Sequence, residues 1–139
     1  MIDHLGINCR DLAASAAFYD RVLGTLGHRR LMDHGVAIGY GTQTPDFWLA
    51  EWAGTEPNRE IHVAFTAPDA ATVRAWYDEA IAAGAESLHE PRLWPEYHEN
   101  YYGAFVRDPD GNNVEAVFHG GGPADHGDTH GSLGPNSYA

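Results

Sequence analysis

Cysteine occurs once, at position 9, so neither an internal disulfide nor a thiolate zinc cluster can form within the chain. Cys9 reads as a small buried hydrophobe on the first strand rather than a nucleophile. Basic residues are also scarce: 8 Lys and Arg stand against 20 Asp and Glu, a formal net charge of −12. That balance repels phosphate backbones and anionic lipid, which argues against nucleic-acid and membrane partners. No apolar run nears the roughly 20 residues of a membrane span, and the N-terminus has no basic and apolar signal regions. A soluble cytoplasmic protein is expected.

What the chain does have is core-forming material. Hydrophobic residues make up 43% and aromatics 12% of 139 residues, enough for one compact domain that buries about two-thirds of its unfolded surface. A second full domain does not fit.

One segment occurs twice. HLGINCRDLAASAAFYDRVLGTLG opens at His4, and HVAFTAPDAATVRAWYDEAIAAGA opens at His62, 58 residues later. Without a gap, Asp11 falls on Asp69, Phe18 on Trp76, Tyr19 on Tyr77, Asp20 on Asp78 and Leu23 on Ile81. A supersecondary unit used twice explains this spacing.

Residues 2–9 alternate, with Ile2, His4, Gly6 and Asn8 on one face and Leu5, Ile7 and Cys9 on the other, the pattern of a half-buried strand. Asp11 caps a helix whose apolar stripe runs through Leu12, Ala16, Tyr19, Val22, Leu23 and Leu26. Strands are expected near 28–33, 36–40 and 47–52, divided by glycine-containing turns. The pattern restarts after Gly54, Pro57 and Asn58, with a strand over 60–67, a cap at Asp69 and a helical stripe from Val73 to Gly84. Further strands are expected near 86–93, 101–107 and 113–119, and the Asp108-Pro109-Asp110-Gly111 run between the last two is a tight turn. From Gly120 onward glycines abound and periodicity is absent, so residues 120–139 read as a flexible tail. His126 and His130 in it, with His119 just before, are read as surface histidines rather than a second metal site.

His4 and His62 sit at matched positions of strands. On the last strand Asn113, Glu115, Val117 and His119 share a face, which turns Glu115 toward whatever the sheet encloses. A buried carboxylate is costly unless it is paired or bound to a metal. Two strand-borne histidines and a glutamate are a set that Fe(II), Mn(II), Zn(II) or Ni(II) uses, with positions left open for a ligand. Any one of them alone reads as a core residue. The three together, two of them related by the repeat, favour a divalent metal. Gly6, Asn8, Ala64 and Thr66 on the histidine faces leave space beside it.

The stretches DHLGINCRDLAASAAFYDRVLG, EIHVAF and YYGAFVRDPDGNNVEAVFH resemble the vicinal oxygen chelate superfamily, which includes glyoxalase I, extradiol dioxygenases and bleomycin-resistance-type binding proteins. The resemblance covers about residues 2–119. It implies an α+β fold of two tandem βαβββ modules, about 2–52 and 60–119, curled into an incomplete mixed β-barrel with helices outside. It also implies that His4, His62 and Glu115 are metal ligands. Glyoxalase-like members take a fourth ligand from the strand here reading FWLAEW. Matched by the repeat, Trp48 stands at that position, while Glu51 has the opposite strand parity. Three ligands fit dioxygenase-like members better.

The second module is also similar to the extradiol signature, in which a catalytic histidine precedes Asp-Pro-x-Gly and the ligand glutamate. His98 has that spacing, although Phe105 stands at the family's tyrosine position and Glu96 departs from the preference two places before the histidine. Tyr101 or Tyr102 are the substitutes at hand. His98 is thus the candidate general acid or base, weighed evenly against an exposed loop histidine in the polar run 95–100. Asn8, Trp48, Thr66, Trp94, Tyr101 and Phe105 are the candidate substrate-binding residues, with Tyr97 as a further candidate for the pocket wall.

The expectation is a metal-dependent enzyme acting on a small oxygen-bearing, aromatic-type substrate, closer to the extradiol dioxygenases than to a glyoxalase-type lyase. The alternative of another class is a non-enzymatic binder that sequesters a drug or natural product. A homodimer is expected, since many members pair modules across subunits.

Overall fold

The computed structural model describes residues 1–54 and 56–123. In chain order the elements are β1 (Leu5–Cys9), α1 (Leu12–Thr25), β2 (Arg29–Asp33), β3 (Ala37–Gly41), β4 (Pro45–Glu51), β5 (His62–Thr66), α2 (Ala70–Ala82), β6 (Ser87–Leu93), β7 (Tyr102–Arg107) and β8 (Asn113–Phe118). The strands form two four-stranded mixed sheets, ordered β1-β4-β3-β2 (sheet 1) and β5-β8-β7-β6 (sheet 2), which do not close into a barrel. Each is one βαβββ module, so the fold is α+β with two tandem modules, as the duplicated segment implied. His126 and His130 lie outside the described residues, as does the tail beyond residue 123.

The repeat shows first in the caps. The Asp11 carboxylate accepts from the Ala14 amide at 3.1 Å, and the Asp69 carboxylate accepts from Thr72 at 2.7 Å. Each neutralises one of the amides that a helix start leaves unbonded. Each module then sets an edge strand parallel to its last strand, β1 beside β4 and β5 beside β8. A parallel pair needs a long crossover, which the helix supplies.

One face of each sheet packs inward. Ile7, Cys9, Ile38, Tyr40, Phe47 and Leu49 of sheet 1 and Tyr102, Ala104, Val106, Val114 and Ala116 of sheet 2 join the helices in one apolar core. The helices lie against each other, and the Arg21 guanidinium donates to Glu79 across them at 2.7 Å. Phe47 of β4 meets Phe65 of β5 edge-on at 5.1 Å. Cys9 is fully buried, and burial pushes its thiol up to about 11, so it is unreactive.

The Asp108-Pro109-Asp110-Gly111 turn does more than reverse the chain. The Asp108 carboxylate accepts from the Tyr19 hydroxyl of α1 at 2.7 Å and from the Asn112 amide at 2.8 Å. Asp110 accepts from the Arg10 amide and from the Ser15 hydroxyl, each at 3.0 Å. The turn of the second module is thereby bonded to the helix of the first. No described helix is long and apolar enough to cross a membrane.

Candidate functional site

Sheet 2 turns its other face away from the core, and that face carries the chemistry. Register sets the rows: His62 lies opposite Asn113, Ala64 opposite Glu115, and Glu115 opposite Phe105 on β7. Strand alternation therefore puts His62, Ala64, Thr66, Glu115, Phe105 and Gly103 on one surface. Glu115 is fully buried.

His62 and Tyr101 divide its carboxylate between them. Glu115 Oε1 faces His62 Nε2 at 3.0 Å, and Oε2 accepts from the Tyr101 hydroxyl. The space for that second contact exists because position 103 is glycine. A Cβ there would stand 3.1 Å from Glu115 Oε2 and 3.2 Å from the Tyr101 ring.

The other nitrogen of His62 decides how the pair behaves. Nδ1 lies 3.2 Å from the Asn113 carbonyl oxygen, which can only accept, so Nδ1 carries the proton of the neutral ring. Nε2 is then a bare lone pair pointed at a carboxylate oxygen, an arrangement that needs a cation between the two atoms. A proton is one such cation: the hydrogen bond to Glu115 raises the His62 pKa against the opposing effect of burial. A divalent metal is the other, since about 3 Å separates two neighbouring N and O ligands that each lie about 2.1 Å from an ion. A metal-binding histidine ordinarily gives its second N–H to a carbonyl or carboxylate, as His62 does to Asn113. His62 and Glu115 thus supply two of the donors that a divalent ion takes.

Aromatic rings wall the pair. Phe105 stacks on His62 at 5.9 Å, and His89 meets Phe105 edge-on at 5.5 Å and Trp94 at 4.9 Å. Burial and the nearby Arg92 lower the His89 pKa. Trp94 is fully buried, donates its indole N–H to the Gly103 carbonyl at 3.0 Å, and carries the Arg92 guanidinium over its ring. His98 lies farther out: its Nε2 is 2.9 Å from His119 Nδ1, and its ring meets Tyr101 at 5.1 Å. Tyr101 is in contact with both Glu115 and the two outer histidines.

Seven of the ten residues singled out from the sequence therefore belong to sheet 2 or the chain beside it: His62, Glu115, His98, Thr66, Trp94, Tyr101 and Phe105. The other three, His4, Asn8 and Trp48, belong to sheet 1 or its edge. His4 precedes β1, its side chain is 60% exposed, and its Nδ1 is 2.7 Å from its neighbour Asp3. Trp48 is half-buried and stacks on His34 at 6.0 Å. Among the described residues, no group of three or more His, Cys, Asp and Glu side chains stands close enough to hold one ion. Within a single chain, His4 is not brought to His62 and Glu115. Glu51 lies opposite Cys9, on the core-facing parity of β4. Tyr102 is in the core.

Sequence reasoning did not single out His89, Gly103 or the Tyr101–Glu115 bond. Strand parity on β8 did place His119 on the face of Glu115, but His98 as its partner was not foreseen. A cleft of about 600 Å³ between α1 and the β7–β8 turn is lined by Phe18, Arg21 and Arg107. Both arginines are committed there, to Glu79 and Glu60, and among the described residues no histidine lines it.

Three comparisons bear on this geometry. Residues 1–116 match the family described as Glyoxalase/Bleomycin resistance protein/Dioxygenase superfamily. No curated protein matches the chain. Among solved structures it is similar to a glyoxalase/bleomycin resistance protein from Albidiferax ferrireducens T118, with 27% identity and a TM-score of 0.74 over 83% of this chain and 96% of that one. It shares a fold with lactoylglutathione lyase from Agrobacterium tumefaciens at 24% identity and a TM-score of 0.63, covering 84% and 92%. Fosfomycin resistance protein FosX from Mesorhizobium loti has that fold too, at 14% identity and a TM-score of 0.63, covering 89% and 93%.

Proposed function

The chain belongs to the glyoxalase/bleomycin resistance protein/dioxygenase superfamily, and on that footing we propose that it is a metal-dependent enzyme whose small substrate chelates a divalent ion through adjacent oxygens. The observation that carries this reading is the pairing of His62 Nε2 with Glu115 Oε1 at 3.0 Å while Nδ1 is engaged by Asn113. When bound, the ion supplies Lewis acidity and a template for the substrate oxygens.

The third ligand is His4 of a second copy. His4 and His62 are repeat-related, His4 is exposed, and both β1 and β5 are edge strands of their sheets. An edge strand presents unpaired amides and carbonyls to another chain. A homodimer that joins sheet 1 of one copy to sheet 2 of the other completes the site twice, by symmetry. Asn8 and Trp48 belong to the β1–β4 pair that such a dimer would bring to the site.

The roles of the remaining residues follow from their chemistry. Trp94 and Phe105 are fully buried and exclude water behind His62 and Glu115, which leaves Tyr101 as the ring an aromatic substrate would meet. His98 Nδ1 faces the Glu99 carbonyl oxygen and so carries the proton of the neutral ring. That leaves Nε2 to accept from His119 Nδ1 and to serve as the candidate base at the outer edge of the aromatic wall. With Trp48 at the fourth position the ligand count is three, which favours dioxygenase-type over glyoxalase-type chemistry.

Elemental analysis of the purified protein tests the reading. The wild type carries close to one divalent ion per chain, and His4→Ala, His62→Ala and Glu115→Ala lose it. Full metal content in any of those variants sinks the ligand assignment. Oxygen uptake with a catechol panel, set against isomerisation of a thiol hemiacetal, separates dioxygenase from lyase.

A second reading rests on the edge-on and stacked rings of Trp94, Tyr97 and Tyr101 on a chain of net charge −12. These suit a cationic aromatic ligand held without turnover. Binding of such a ligand that EDTA leaves untouched would favour sequestration over catalysis.

A further inference from the structure

Glu115 has two carboxylate oxygens, and each faces a different side chain. We propose that Tyr101 is a positioning residue: its hydroxyl holds Oε2 of Glu115 and leaves Oε1 alone to the metal ion. A carboxylate able to grip an ion with both oxygens then uses one, and a coordination position stays open for substrate. This rests on the reading of His62 and Glu115 as metal ligands given above, and it moves Tyr101 from the substrate wall to the support of a ligand.

Several observations converge on Tyr101. Its hydroxyl donates to Oε2, while Oε1 is the oxygen turned to His62 Nε2. A charge-assisted bond of this kind is stronger than one between neutral groups. Phe105 lies opposite Glu115 on β7 and has no hydroxyl to offer, so the donor arrives from four residues earlier. Gly103 keeps the path clear, since a Cβ there would crowd both Oε2 and the Tyr101 ring. The ring is braced as well: Tyr97, His98 and His119 each meet it edge-on, at 5.0, 5.1 and 5.3 Å. The Tyr101 carbonyl accepts from the Trp94 amide at 2.8 Å, which ties the start of β7 to the end of β6. A side chain held on both flanks and by its backbone keeps its hydroxyl aimed when an ion arrives. Outer-shell partners of this kind typically change metal affinity by about 10- to 100-fold when removed.

Cobalt titration of metal-free, full-length protein, followed by visible absorption, tests the proposal on the wild type, Tyr101→Phe and Tyr77→Phe. Tyr77 bonds to Ser87 at the surface and serves as the matched loss of a phenol. Tyr101→Phe weakens Co(II) binding by about 10- to 100-fold and alters the d–d bands, while Tyr77→Phe does neither. A folded Tyr101→Phe protein with the wild-type affinity and spectrum overturns the role of Tyr101 and leaves the ligand reading intact. Wild type that takes up no Co(II) overturns both. Should Tyr101→Phe fail to fold, the infrared difference between Co(II)-loaded and metal-free wild type decides alone. A wide separation of the two carboxylate stretches assigned through Glu115→Gln is the one-oxygen result expected. A narrow separation means both oxygens are bound and rejects the proposal.

Discussion

Trp48 holds in sheet 1 the place that Glu115 holds in sheet 2. Trp48 pairs with Gly6, two residues after His4, and Glu115 pairs with Ala64, two residues after His62. The next strand repeats the correspondence, with Gly39 beside Trp48 and Phe105 beside Glu115. The Trp48 ring lies over Gly39, where a Cβ would come within 2.9 Å of it. Two copies of one frame thus carry a carboxylate in one half and an indole in the other.

If the fourth ligand position is empty because of that indole, Trp48→Glu fills it. The variant binds Co(II) at least about tenfold more tightly, equivalent to about 1.4 kcal/mol, and loses oxygen-dependent turnover. Competition with a coloured chelator reads the first effect and an oxygen electrode the second. Unchanged affinity would mean that Trp48 does not face the ion.

A site shared between copies makes a quantitative demand on mixed dimers. His4→Ala and Glu115→Ala homodimers each lack every site. Unfolded together in equal amounts and refolded, they form heterodimers with one intact site, restoring about a quarter of the wild-type sites by statistics alone. Metal content or turnover of the mixture measures this, and no recovery would place all ligands in one chain.

The joint between modules has a measurable strength. Tyr19→Phe removes a buried hydroxyl bond to Asp108 and lowers stability by about 1 to 3 kcal/mol. Asp108→Ala also strands the Asn112 and Asp110 amides and costs more. Urea unfolding of the metal-free proteins provides both values. Equal effects of the two variants would show that Asp108 serves α1 and not the turn.

The acid limb of the stability curve has an identifiable contributor. Partial burial raises the Asp20 pKa, but hydrogen bonds from Arg30 and Tyr40 outweigh it and hold the carboxyl below its ordinary value. A group depressed in the folded state stabilises fully above its unfolded pKa, about 3.9 for Asp. That stability is lost as pH falls through the folded pKa. Between pH 5 and 2, Asp20→Asn therefore shows a shallower loss of unfolding free energy than the wild type. Parallel curves would remove Asp20 from the account.

The frame was legible because it is written twice. Asp11 and Asp69 announced both helix starts, and the repeat matched Trp48 to Glu115 before any register was known. Relations between modules were not legible. Matched positions within a repeat say nothing of how the two units are set against each other, and here helix-to-helix packing leaves His4 apart from His62. The bond from Tyr101 to Glu115 was hidden for a different reason: Tyr101 precedes β7, just after Asn100 at φ +69. Its direction depends on the shape of that loop, which period-two alternation does not describe.

The bond from Tyr19 to Asp108 has no counterpart in the opposite sense. Tyr77, the repeat partner of Tyr19, gives its hydroxyl to Ser87 instead, within its own module. The duplicated halves are therefore not equivalent in this respect: the helix of the first is fastened to a turn of the second, while the matching tyrosine of the second stays within its own module.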